Sequence, residues 1–412
     1  MQPLRGTKDI LPDENILWQY IRQIITQILS NSNYNEITTP IIENTDLFYK
    51  SIGQGTDIIN KEMYTFHDQG QRSITLRPEG TASVTRAFIS NQMYHSNSIN
   101  RLWYLGPMFR YERPQNGRQR QFHQLGIECI GSHNPIADVE VIRLATRILN
   151  KLEYTQYQLE INSIGKIEER EIYKTILINY LQKYINDLDK DSQARMQTNP
   201  LRILDSKCHK TQEIVNNGPK LISCLKSESR EYFDNVCELL ESLNIPYNIN
   251  YNLVRGLDYY NDTAFEIKTQ ELGSQDTICG GGRYDSLIKQ LGGPNTPSVG
   301  WAIGIERLII LIKNQFQSIT HYPYVYLISQ NVNTQKYMWI IINILENNNI
   351  KFELDLNLTN LSKKLKKAYK SGAQKCIIVG DDEMNTQTIT IKDLKSNSQK
   401  TITLDNFKTH LI

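Results

Sequence analysis

Cysteine pairing is missing from this chain. Its six cysteines, at 129, 208, 224, 237, 279 and 376, are scattered with no CxxC spacing. That excludes a zinc ribbon and a disulfide framework and points to a reducing compartment. Cys208-His209 is a close pair of soft ligands, but no second pair stands near it to complete a metal site. A long apolar run is also missing, so no segment is expected to cross a membrane. Charge of one sign is scarce: 46 Lys and Arg against 44 Asp and Glu leave a net charge of +2, so a nucleic-acid partner must be met by local basic patches. The opening MQPLRGTKDILPDE has neither a signal peptide's apolar core nor the Arg/Ser-rich character of a transit peptide. The chain is therefore expected to stay where it is made.

What is present suits a soluble protein of two or three domains, since 412 residues exceed what one hydrophobic core usually serves. Apolar residues recur at helical spacing from Trp18 to Leu29, and Asn33 can take the left-handed conformation that ends a helix. EITTPIIE (36–43) reads as a strand running into Pro40, which belongs at an edge, a bend or an interface. Residues 101–132 read as two strands around the polar loop PQNGRQR, followed by a helix over 138–149 and a strand over 157–165. From 168 to 242 the sequence is charged and helix-rich between strand-like flanks, the pattern of an insertion. Strand signals resume at YNINYNLV (247–254) and TAFEIKT (263–269), and VGWAIGIERLIILI (299–312) runs from strand into helix. After a polar linker at 315–323, strands and helices alternate, as in an α/β domain with a mainly parallel sheet. No internal repeat or low-complexity segment interrupts this pattern.

Four clusters carry chemistry. In LRPEGT (76–81), Glu79 and Thr81 supply acceptors for an ammonium group, or Glu79 is simply a solvated turn residue. In FRYERPQNGRQRQFHQLGIE (109–128), Arg110, Arg113, Arg118 and Arg120 flank a Gly/Asn/Gln loop. Their guanidinium forks suit phosphate oxygens, and Phe122 offers a face for stacking on a base. In LVRGLDYY (253–260), Arg255 stands among apolar residues, where a charge needs an opposite partner. That partner is either Asp258 or an anionic ligand. CGGGRYD (279–285), downstream and part of the same cluster, reads either as a tight strand turn or as a place where backbone and ligand approach closely. In GWAIGIERL (300–308), Gly300, Ala302 and Gly304 leave one strand face bare for a flat ligand, with Arg307 at the strand's end.

Together these segments resemble the bacterial-type histidyl-tRNA synthetases, a family of class II aminoacyl-tRNA synthetases, over nearly the whole chain. NYNEITTPIIE resembles the class's first motif, GPMFRYERP with its loop the second, and GWAIGIERL the third, while LVRGLDYY and GGGRYD match the family's own two signatures. Departures are small: Asn33 stands in place of a usual glycine and Trp301 in place of a frequent phenylalanine.

The resemblance implies an α+β catalytic domain over 1–320, built on an antiparallel sheet, with a helical insertion at 168–242 and an anticodon-binding α/β domain at 323–412. It implies that histidine and ATP, with Mg²⁺ on the outer phosphates, form histidyl-adenylate before histidine passes to tRNA(His). Arg110 and Arg255 are then catalytic, flanking the α-phosphate. Glu79, Gly80, Thr81, Gln124, Glu128, Arg255, Tyr259, Tyr260 and Tyr284 bind histidine, with Glu128 and Tyr260 reading the imidazole. Arg110, Glu112, Phe122 and Arg307 bind ATP, Phe122 and Arg307 sandwiching adenine. Either Arg118 or Arg120 reaches the outer phosphates. No protein metal site is implied. A homodimer through the segment around Pro40 is implied, as is RNA contact by the 113–120 loop, the insertion and the basic helix LSKKLKKAYK (361–370). The regulatory subunit of ATP phosphoribosyltransferase shares this core but lacks the C-terminal domain, so it is the weaker likeness. A bacterial cytoplasm is the expected compartment. A plastid stroma is the alternative if the gene is plastid-encoded.

Overall fold

Strand periodicity in the first three-quarters of the chain resolves into one large sheet. The structure, a computed structural model, describes residues 1–53, 56–96, 99–115, 117–273, 276–316, 324–357 and 359–410. Its contacts divide the chain into two units, Met1–Gln315 and Phe316–Ile412. Asn116 of the polar loop, and the linker expected at 315–323 from residue 317 on, lie outside the described residues.

The strands of the large sheet are β1 (Asn35–Glu36), β2 (Asn100–Phe109), β3 (Gln121–Ile130), β4 (Gln158–Ser163), β5 (Asn248–Ile249), β6 (Asn261–Lys268), β7 (Thr277–Arg283) and β8 (Ser298–Gly304). They pair in the order β1-β2-β3-β8-β7-β6-β4-β5. The pairings between β2 and β4 are all antiparallel, and only the two short outer strands lie parallel to their neighbours. Helices Pro135–Lys151 and Ser227–Ser242 pack on each other and on one face. There Trp301 seals the joint by donating its indole N–H to the Val141 carbonyl at 2.7 Å. Arg283, at the end of β7, is fastened to Asp138 of the first helix, and both are almost fully buried. Such a charge is tolerated inside because it is paired and hydrogen-bonded, here also to the Ser132 carbonyl and to Asp285.

The opposite face stays open, and register explains why. Glu266, Gly280, Ala302, Gly126 and Tyr104 stand side by side across five strands, and Ala264, Gly282, Gly300 and Glu128 form the next row. The three glycines of CGGGRYD therefore lie inside a strand and not in a turn. Gly280 and Gly282, with Gly126, Gly300 and Ala302, make a floor with almost no side chains.

Residues 167–225 form a helical lobe with its own core, which includes Tyr173, Leu177, Leu181, Ile203 and Leu221. The Glu169 carboxylate, fully buried, ties the lobe's two ends together by accepting from the Lys166 and Lys226 backbone N–H groups, each at 2.7 Å.

Three sequence expectations need correcting. EITTPIIE is not one strand: β1 and Ile42–Asn44 flank a non-ladder stretch. There Thr39 accepts from the buried Arg77 guanidinium through its carbonyl and hydroxyl at 2.9 and 3.0 Å. YNINYNLV contributes only β5. In the second unit, β9 (Val325–Ser329), β10 (Phe352–Leu354) and β11 (Lys375–Val379) are parallel as expected. An antiparallel hairpin, β12 (Thr388–Asp393) and β13 (Gln399–Thr403), extends that sheet and makes it mixed. The expected left-handed residue is present, Asn33 having φ of 58° just past helix Pro12–Asn31.

Candidate active site

The bare floor lies under a cavity of about 200 Å³ lined by Glu79, Thr81, Arg110, Glu112, Arg118, Phe122, Gln124, Arg255, Tyr259, Tyr260 and Arg307, with Glu306 and Thr277. The structure thus gathers residues from the four sequence clusters. Gly80, Glu128 and Tyr284 stand directly behind this lining, as their partners show, while Arg120 faces away.

At one end the polar groups are buried acceptors and hydroxyls. Glu128, 1% exposed, accepts from the Thr81 hydroxyl at 2.8 Å and, through its other oxygen, from the Tyr284 hydroxyl. Burial pushes its carboxyl up to about 8. A side chain at Gly300 would collide with this carboxylate, which explains why the facing position on β8 is a glycine. Tyr259, Tyr260 and Tyr284 form a buried cluster around this end, with ring centroids 4.6 to 6.5 Å apart.

Glu79 is not a solvated turn residue. It is 3% exposed and caps helix Thr81–Ser90 by accepting from the Thr81 and Ala82 N–H groups at 2.7 and 2.8 Å. Burial raises its pKa above the usual carboxylate range. The Gln124 amide oxygen accepts from the Gly80 N–H at 3.1 Å and from the Tyr104 hydroxyl at 3.4 Å. The Tyr104 ring fills the space over both Gly80 and Gly126, where a Cβ would clash with it.

At the other end the groups are guanidinium forks. Arg255 pairs with Glu266 across the floor, and a side chain at Gly280 would strike its guanidinium. Asp258, one of the two partners the sequence offered for Arg255, instead accepts from Asn199 of the helical lobe at 3.2 Å. Burial opposes the Arg255 charge, but Glu266 and Tyr260 outweigh it and hold the group above its ordinary pKa. Its Nε, and that of Arg118, are buried donors without a partner. Arg110 donates to the Pro78 carbonyl at 2.9 Å and lies over the Phe122 ring, 5.3 Å from its centroid. Arg118 pairs with Glu112 at 3.0 Å. Arg120 instead stacks on the exposed Tyr111 ring at 3.9 Å. Arg307 donates to the Thr277 and Gly117 carbonyls at 2.8 and 3.2 Å, and burial lowers its pKa, helped by Arg118 and Arg110.

Four contributors escaped sequence reasoning: Glu266, Tyr104, Thr277 and Arg170, which reaches in from the helical lobe to donate to the Tyr260 carbonyl at 2.7 Å. Glu266 left a trace, since it is the one carboxylate in TAFEIKT, set between the apolar Phe265 and Ile267. Arg170 left none, being one charge among many in a charged helix. Among the described residues no group of three or more His, Cys, Asp or Glu is placed to hold a metal ion, and no helix is long and apolar enough to cross a membrane.

Chemically, the cavity offers a buried acceptor and hydroxyls to a small polar group, and several forked cations to an anion beside it. Comparison with known proteins leads the same way. A family model described as histidyl-tRNA synthetase matches residues 6–308, and one described as an anticodon binding domain matches 324–412. The histidine--tRNA ligase named chloroplastic from Gracilaria tenuistipitata var. liui is 62% identical over 99% of this chain and 97% of its own length. The histidine--tRNA ligase of Rippkaea orientalis is 52% identical over 98% and 94%. The crystal structure of apo S. aureus histidyl-tRNA synthetase superposes with a TM-score of 0.83 at 35% identity, covering 100% of this chain and 99% of that one. By motif, by sequence along both chains and by fold, then, this chain belongs to the histidyl-tRNA synthetases, class II aminoacyl-tRNA synthetases with a C-terminal anticodon-binding domain.

Proposed function

We propose that the chain activates L-histidine with ATP and transfers it to the 3′ end of tRNA(His), releasing pyrophosphate and AMP. The observation that carries this reading is the polarity of the cavity, with Glu128 buried at one end and unpartnered guanidinium donors of Arg255 and Arg118 at the other. A neutral imidazole has one N–H and one bare nitrogen, so the Glu128 carboxylate and the Tyr260 hydroxyl together specify it. Glu79, Gly80, Thr81 and Gln124 hold the α-amino end, Glu79 through lone pairs beyond those used by its helix cap. Tyr259 and Tyr284 wall the pocket, and Tyr284 also fixes Glu128.

In the first step a histidine carboxylate oxygen attacks the α-phosphorus and the bond to the pyrophosphate oxygen breaks. Charge gathers on the α-phosphate oxygens, where Arg110 and Arg255 stand as fixed cations that need no reorganisation. Phe122 and Arg307 sandwich adenine. In the second step a terminal ribose hydroxyl of the tRNA attacks the adenylate carbonyl and AMP leaves. A Mg²⁺ ion arriving with ATP would supply charge that offsets the outer phosphates. Glu112 fits as its protein-side acceptor, because its buried Oε2 has no hydrogen-bond donor although it faces Arg118.

Of the two candidates for the outer phosphates the reading takes Arg118, which lines the cavity, over Arg120, which is spent on Tyr111. Arg118→Ala is expected to raise the KM for ATP about tenfold and Arg120→Ala less than about twofold in pyrophosphate exchange. Equal effects would reverse the choice.

The catalytic domain is taken as 1–320, with 323–412 directed to the anticodon. Of the insertion expected at 168–242, the lobe over 167–225 is directed to the acceptor stem, since helix Ser227–Ser242 packs on the catalytic sheet. On helix Leu361–Ser371 the exposed Lys363, Lys366, Lys367 and Lys370 are the RNA-facing charges. Lys364 is not among them, because it is buried and donates to the Ser329 carbonyl at 2.7 Å. A homodimer forms through the segment around Pro40, where Ile41 and Ile42 are 42% and 51% exposed. The chloroplastic name of the 62%-identical relative favours a plastid stroma over a bacterial cytoplasm. Histidine-dependent exchange of pyrophosphate into ATP tests the activity. Its absence with folded protein would leave a binding paralogue as the better reading.

A further inference from the structure

The adenine slot described above has walls on two different elements, Phe122 on β3 and Arg307 on helix Ile305–Phe316. Something must set their separation. The β3–β8 ladder ends at the Gln124–Gly304 pair, because the chain turns into the helix at Ile305. Beyond that point the His123 N–H has no strand carbonyl to meet on the β8 side. The Glu306 side chain takes the carbonyl's place, its two carboxylate oxygens accepting from the His123 N–H at 2.9 Å each. Oε1 also meets the His123 ring Nδ1 at 2.9 Å. The ring and the backbone of His123 thus both meet one carboxylate. Glu306 is 7% exposed, so the tie is shielded from water. The His123 ring is held edge-on by Trp18 of helix Pro12–Asn31, with centroids 4.7 Å apart.

His123 directly follows Phe122, and Glu306 directly precedes Arg307. We propose that His123 and Glu306 are positioning residues whose mutual grip fixes the spacing of the adenine sandwich, and hence the affinity and base selectivity for the nucleotide. This rests on the reading that Phe122 and Arg307 bind adenine. The other holds on Arg307, the Thr277 and Gly117 carbonyls, orient its fork but do not reach β3.

The full-length protein is assayed by pyrophosphate exchange, with ATP and histidine varied in turn, for Glu306→Ala, Glu306→Gln, His123→Ala and Phe122→Ala, with a thermal melt of each. Glu306→Ala is expected to raise the KM for ATP about tenfold and to change the KM for histidine less than about twofold. Glu306→Gln keeps an acceptor for the backbone N–H and should recover most of that loss, while His123→Ala should fall between. If Glu306→Ala does not fold, His123→Ala carries the same split. A folded Glu306→Ala or His123→Ala whose two KM values rise together, or whose KM for ATP is unchanged while Phe122→Ala raises it, overturns the grip alone. An unchanged KM for ATP in Phe122→Ala overturns the adenine reading, and the grip with it.

Discussion

Replacing Arg255 by alanine is expected to slow histidyl-adenylate formation by about 10²- to 10³-fold, the loss that follows removal of one fixed donor to a developing oxyanion. The fold should survive, and the reason lies in what the substitution leaves behind. Glu266 would lose its guanidinium but keep Lys268 at 3.5 Å and the Thr277 hydroxyl at 3.2 Å, so no carboxylate is stranded. Gly280, over which the guanidinium lies, would gain open space and meet no clash. Arg255→Lys keeps the charge but not the planar fork, and should recover only part of the rate. Single-turnover adenylate formation, normalised to folded protein by a thermal melt, checks this. A variant that melts much earlier yet forms adenylate at the normal rate per folded molecule would make Arg255 a structural half of an ion pair with Glu266 and nothing more.

Arg255 also shows how far the sequence was legible. An arginine in LVRGLDYY announced that a counter-charge existed, and Glu266 in TAFEIKT announced the same need from the other side. Matching them requires knowing that the segment before β6 folds back to lay the Arg255 guanidinium over Gly280 and beside Glu266, which leaves no local mark, so the nearby Asp258 offered itself instead. The bare floor was half legible for the same reason. Alternation in GWAIGIERL exposed Gly300 and Ala302 as one face, but that Gly126 and Gly280 continue the row depends on strand order. The arginine loop shows a different limit. Arg118 and Arg120 have the same parity and chemistry, and only the Tyr111 ring, which captures one of them, separates the two. Long helices and strands with strong periodicity were readable, Pro135–Lys151 among them. The hairpin of β12 and β13 was less so: Ile389 and Ile391 do alternate with threonines in β12, but β13 is largely exposed and carries a single apolar residue, Ile402, so nothing in it marks a strand.

Glu128→Gln and Glu128→Ala are expected to raise the KM for histidine by about 10²-fold with much less effect on the KM for ATP, since a buried site built around an acceptor penalises its loss. The ionisation of Glu128 adds a signature that simple loss of packing would not give. Burial pushes its carboxyl up to about 8, so between an unfolded value of about 4.3 and that point the folded, histidine-free chain holds a proton that the unfolded chain has released. The raised pKa makes the group's contribution to stability complete below the unfolded pKa, and the contribution is lost as pH rises through the folded one. The melting temperature of the wild type relative to Glu128→Gln should therefore fall as pH climbs from about 5 toward 8. Histidine binding should run the opposite way. The ionised carboxylate is the form that accepts the imidazole N–H, so the wild-type to Gln ratio of kcat/KM for histidine should rise over the same interval. The substrate's own ionisations cancel in that ratio. Equal changes in both KM values, or a ratio flat with pH, would remove Glu128 from imidazole recognition and leave it as a carboxyl that merely spans Thr81 and Tyr284.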